Sequence, residues 1–237
     1  MPLNAHTPRE LSAIARRGQA GLSMVELMVG VAIGLFVVAG ATMAVSNQLG
    51  DNRRLMLETQ IQQDLRAAAD VIARDVRRSG YWGNAQSGVW NAGTVAVSTN
   101  PYTQLAPAAS GVAASAVTFG YSRDAVENGV RDATDEAGFR LRNGAIEMLT
   151  GGGWQALTDS TTLRITDFRV TPASQDVVLS CFNPCVAPPG APACPTQTVR
   201  ELKVEIFGTA VHDPSVQRSA RSNVRLRNDA INGACPP

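Results

Sequence analysis

Between Glu26 and Asp51 the chain carries no charged residue, and the first 19 positions of that 24-residue span, Leu27 to Val45, are strongly apolar. As a helix the whole span would measure roughly 36 Å and its strongly apolar part about 28 Å, close to the hydrocarbon thickness of a bilayer. The segment therefore predicts one membrane passage. Arg9, Arg16 and Arg17 stand before it against Glu10, a basic flank that keeps its own end cytoplasmic and sends the rest outward. A secretory signal cleaved near Ala39-Gly40-Ala41, or a plain uncleaved anchor, explains the same charge and hydropathy. Neither explains Glu26, set directly against the start of the apolar run. Gly30, Gly34 and Gly40 are small positions within the span, and Gly30 and Gly34, four apart, share a helix face that permits close helix packing.

No proline occurs from residue 9 to residue 100, so nothing forbids the helix from continuing past the apolar run. Leu55, Glu58, Ile61, Leu65, Ala68, Ile72 and Val76 recur every three or four residues, with arginines and aspartates between them. This is an amphipathic pattern with one imperfect seam position, Glu58. Arg54 with Glu58 and Asp70 with Arg74 offer i,i+4 pairs worth about 0.2 to 0.5 kcal/mol each. Gly80-Tyr81-Trp82-Gly83 reads as the helix exit, its two aromatics packing beneath the next layer.

Residues 84 to 116, rich in Gly, Ser, Thr and Ala, predict loops and short exposed elements, and Arg123 to Glu136 a charged connection. Strands are expected at Val117–Tyr121, Phe139–Arg142, Ala145–Leu149, Leu163–Val170, Val177–Leu179, Thr198–Phe207 and Asn223–Leu226. Leu202, Val204 and Ile206 alternate with Lys203 and Glu205, as in a sheet packed on one side. The amphipathic half of the helix is the natural cover, giving an α+β fold: a long N-terminal transmembrane and amphipathic α-helix supporting a β-rich domain.

All four cysteines, Cys181, Cys185, Cys194 and Cys235, fall in the last quarter of the chain, where five prolines lie between positions 184 and 195. Export to an oxidising compartment predicts two disulfides. Three complete pairings are possible; the preferred one closes a local loop from Cys181 to Cys185 or Cys194 and ties the remaining partner near Cys235. A four-cysteine zinc site is disfavoured by the spacing. His6 and His212 are the only histidines and make neither a catalytic triad nor a multi-histidine metal site. Asp132, Asp135 and Glu136 lack EF-hand spacing and read as a solvated loop, and Gly151-Gly152-Gly153, with no Lys-Ser or Lys-Thr after it, reads as a turn. Twenty-one basic residues balance 20 acidic ones, and the arginines are dispersed, which argues against a dedicated nucleic-acid surface. No catalytic residue, metal or cofactor is expected.

The run Gly21-Leu22-Ser23-Met24-Val25-Glu26 resembles the type IV prepilin signal, whose pattern is a basic leader, Gly at the cut, a hydrophobic first mature residue and Glu at mature position five. The resemblance implies cleavage between Gly21 and Leu22 by a prepilin peptidase, N-methylation of Leu22, and an assembly role for Glu26, its carboxylate compensated by the amine of a neighbouring subunit. Gln62 to Gly83, and more weakly Trp154 to Val170 and Arg221 to Asn228, resemble the PilW-type minor-pilin family and related pseudopilin domains. Residues 1–21 are then a cleaved leader, 22–79 a long helix including the transmembrane segment, and 80–237 an outer α+β domain. The implied function is that of a minor pilin in type IV pilus initiation or assembly, not an enzyme. Its partners are the peptidase, other minor pilins, the major pilin and the inner-membrane assembly platform, with no direct nucleic-acid partner. It is expected as a single-pass inner-membrane protein with a periplasmic domain, incorporated into an extracellular pilus or its assembly complex. The alternatives are a type II secretion pseudopilin and a pilus-borne adhesin or DNA-binding module.

Overall fold

The computed structural model describes residues 21–88, 98–123, 126–186 and 194–236. The expectations for the leader, and parts of those for the 84–116 loops, the 123–136 connection and the proline-rich tract, lie outside the described residues. By its contacts the chain divides into two units, Met1–Asp51 and Asn52–Pro237. One helix, α1 (Met24–Val76), contributes to both. In the first unit every described residue is exposed, including Leu27, Val31, Leu35 and Phe36. The helix is long and apolar enough to cross a membrane.

The second unit holds two antiparallel sheets. The first is a meander of β1 (Leu105–Ala106), β2 (Ala116–Gly120), β3 (Glu136–Arg142), β4 (Ala145–Thr150) and β5 (Gly153–Ala156). Its tightest turns are Asn143-Gly144 and Gly151-Gly152, each with both residues at positive φ, the conformation that two-residue hairpins require. The second sheet has the order β6 (Leu163–Val178), β7 (Thr196–Ala210), β8 (Gln217–Arg225), and β9 (Ala230–Asn232) pairs with the first residues of β7.

In β6 a register shift between Ile165 and Asp167 changes the alternation. Leu163 and Ile165 before it and Phe168 and Val170 after it all reach the core. The two strands expected at Leu163–Val170 and Val177–Leu179 are one. Pro172 interrupts nothing because its nitrogen faces away from β7, on the edge where its carbonyl accepts from Gly111 N–H at 2.8 Å. The last long strand begins at Gln217 instead of Asn223, since its buried residues there are as small as Ala220 and leave little apolar alternation.

Ile61, Leu65, Ala68, Ala69, Ile72, Ala73 and Val76 of α1 are buried in one cluster with Phe119 and Phe139 of the first sheet and Phe168, Leu202, Val204 and Ile206 of the second. The seam starts later than expected. Leu55 is exposed, and Glu58 is held between Arg54, at 3.2 Å, and Arg218 of β8. At the helix exit Trp82 is buried, whereas Tyr81 is half exposed and does not pack beneath the next layer. The chain turns outward there: Gly80 adopts positive φ, and its N–H donates to the Gly120 carbonyl at 2.8 Å.

Candidate functional site

Gly21, Leu22 and Ser23 precede α1 without regular structure, and all are exposed. Ser23 caps the helix. Its Oγ accepts from Val25 N–H at 3.4 Å, and its carbonyl accepts from Leu27 N–H at 3.0 Å. Glu26 follows three residues later in the first turn, so Ser23-Met24-Val25-Glu26 has the spacing of a capping box. A carboxylate at this position is favoured by the positive end of the helix dipole. The Gly21–Leu22 peptide thus lies in accessible chain just ahead of a defined helix start, with Glu26 about one helical turn beyond it.

At the other end of the chain, disulfides join Cys181 to Cys235 and Cys185 to Cys194. The local loop is therefore closed by Cys185, and the preferred pairing of Cys181 with Cys185 or Cys194 is corrected. The reason is the sheet: β9 lies beside the start of β7, which brings the C-terminal segment back to the end of β6, and Cys235 comes within 5.6 Å of Cys181 between Cα atoms. The Cys194 N–H donates to the Val186 carbonyl at 2.9 Å, drawing the other two cysteines together.

The acidic candidates have protein partners. Asp135 is buried, and its two carboxylate oxygens accept from Arg123 N–H at 3.0 Å and Asp132 N–H at 3.1 Å. Asp132 accepts from Thr134, and Glu136 pairs with Arg131 at 3.0 Å. The three carboxylates staple a loop. His212 is exposed in the turn between β7 and β8, and Gly151-Gly152 makes the turn between β4 and β5. The arginines of β8 are also matched: Arg221 reaches Glu205 at 3.1 Å and Arg225 reaches Asp229 at 3.3 Å.

Two buried polar groups escape sequence reasoning. The Tyr102 hydroxyl donates to Glu127 at 2.9 Å. Burial, then the bond to Glu127, pushes that phenol up to about 12. Burial alone would raise Glu127, but hydrogen bonds from Ser122, Gly129, Tyr102 and Gly83 outweigh it and hold its carboxyl below the usual range. Arg200, nearly fully buried in β7, donates to the carbonyls of Thr103 and of Asn228, the latter at 2.8 Å, and desolvation lowers its guanidinium. Asn100-Pro101 is a turn signal that marks where Tyr102 begins. Nothing local marks the burial of Tyr102 or Arg200.

Compared with known proteins, residues 54–226 match the family described as prepilin peptidase-dependent protein B, and residues 16–42 match the prokaryotic N-terminal methylation motif. No curated protein and no solved structure matches the chain.

Proposed function

This chain belongs to the prepilin peptidase-dependent protein B family, and from that membership we propose that it is a PilW-type minor pilin that supports initiation or assembly of a type IV pilus. The observation that carries the reading is the Gly21–Leu22 junction standing exposed one turn ahead of Glu26, at the start of a helix otherwise uncharged as far as Gly50. A prepilin peptidase cuts after Gly21 and the new amino group of Leu22 is methylated. Glu26 is an acid at the edge of an apolar span, where an isolated charge is costly. It is compensated by the terminal amine of a neighbouring subunit, so its electrostatic need drives helix pairing.

In this reading residues 1–21 are the leader, 22–79 the membrane and filament helix with its support, and 80–237 the outer domain that recognises other subunits. The chain acts structurally, at the inner membrane with its outer domain in the periplasm and then in the pilus or its assembly complex. Its partners are other minor pilins, the major pilin and the assembly platform.

The test is recovery of the tagged full-length chain from the cell envelope, with intact N-terminal mass and identification of co-purifying subunits. Cleavage after Gly21 with recovery of other minor pilins is expected. An intact leader, cleavage after Ala41, or recovery with secretion pseudopilins alone would reject the assignment. Glu26→Ala is expected to abolish incorporation while leaving the outer domain folded.

A further inference from the structure

The end of the second sheet that carries both disulfides combines an uncharged sequence with exposed apolar side chains. Residues 177–199 and 230–237 contain no Asp, Glu, Lys or Arg, in a chain that is 17% charged, and Asp176 at their margin accepts from the Thr198 hydroxyl at 2.6 Å. Val177, Val178, Phe182, Val186 and Ile231 are all exposed there, Phe182 completely. Val177 and Ile231 both pair with Gln197, one from each side, so they lie on the same face of the sheet. Cys181 and Cys185 bracket Phe182 and are each cross-linked, so the backbone that presents this aromatic is restrained on both sides before binding.

The backbone beside this patch is also open. Val170 exchanges both backbone hydrogen bonds with Ala114, on the side of β6 away from β7, and the carbonyl of Pro172 and the N–H of Ser174 point the same way. The register of β6 against β7 is unbroken from Asp167 to Val178, so the N–H and C=O groups of Asp176 and Val178 point to that edge too. Among the described residues they have no partner there. An edge that offers donors and acceptors in alternation matches an extended polypeptide. Lipid headgroups lack the regular donors, and nucleic acid needs cations that this end does not carry.

We propose that the β6 edge at Asp176 and Val178, with Phe182 as anchor, receives an uncharged extended segment of another pilin-like subunit as an added strand. The source of that segment rests on the minor-pilin reading above. The experiment uses the full-length chain with Phe182→p-benzoylphenylalanine, expressed in its native envelope, irradiated, and the cross-linked peptides sequenced. The expected product joins position 182 to an uncharged segment of a different subunit that carries its own N-terminal methylation motif. Adding Val178→Pro removes an outward N–H without touching the bonds to β7, and is expected to lower that product at least about tenfold, with both disulfides retained.

Cross-links to lipid, to nucleic acid or to a second copy of this chain overturn the proposal, as does a product that Val178→Pro leaves unchanged. N-terminal mass on the same sample separates the two readings. A chain cleaved after Gly21 that gives no product sinks the strand-addition proposal alone, whereas an uncleaved chain sinks the minor-pilin reading and this proposal with it.

Discussion

Glu127 ties together three stretches of chain through one carboxylate, accepting from Gly83 N–H at 2.9 Å, Gly129 N–H at 2.8 Å and the Tyr102 hydroxyl at 2.9 Å. Its folded pKa is depressed, so its stabilisation is present above the usual carboxylate range and disappears as pH falls through the lower folded value. Tyr102 has the opposite sign: raised from 10.0 to about 12, it stabilises the fold fully below pH 10 and loses that contribution as pH rises through about 12. An ultraviolet phenolate titration should therefore show Tyr102 still protonated near pH 11, and Glu127→Gln should bring its ionisation to lower pH. The same substitution should cost about 1 kcal/mol, read from urea unfolding.

Gly138 makes a second residue-scale prediction. A Cβ there would lie 2.6 Å from the Val117 carbonyl oxygen, a backbone atom of the paired strand that cannot swing aside. Gly138→Ala should destabilise by about 1–3 kcal/mol, visible as a lowered urea midpoint with an unchanged slope.

At the scale of elements, the helix seam was legible because its periodicity is local. Ile61, Leu65, Ala68, Ile72 and Val76 follow the three- and four-residue rhythm and all are buried. Ala69 and Ala73 are buried as well, but alanine serves equally on either face of a helix, so spacing alone does not assign them. Leu55 keeps the rhythm yet stands exposed, because the buried apolar contact of α1 begins only at Ile61. Ile72→Ala should cost about 2–5 kcal/mol of second-unit stability through lost burial and the cavity left behind. In detergent, that unfolding transition should shift while helical ellipticity from the apolar segment persists. The strands missed in the sequence, β1, β5 and β9, have two to four residues each, too few for alternation to register.

At the scale of the whole molecule, the two disulfides differ in what they restrain. Cys181–Cys235 closes 54 residues and Cys185–Cys194 closes nine. Loop-closure entropy then gives about 4 kcal/mol for the first and about 2.6 kcal/mol for the second. Replacing Cys181 and Cys235 together by Ser should lower the urea midpoint more than replacing Cys185 and Cys194; equal losses would show that entropy of the unfolded chain is not what these bonds control.

The sequence by itself determined the features that live on neighbouring residues: the uncharged helix, the Gly21 to Glu26 junction, the amphipathic seam and the alternation of Leu202, Val204 and Ile206. Hydropathy and periodicity act over one or two turns or a few strand positions, so a linear reading captures them. Only the tertiary structure decided the cysteine pairing, the burial of Arg200, the bond of Tyr102 to Glu127 and the open edge at Asp176 and Val178. Each depends on which strand edge or loop meets which. Those meetings follow from packing the two sheets and α1 around one core, and no local stretch of chain encodes them.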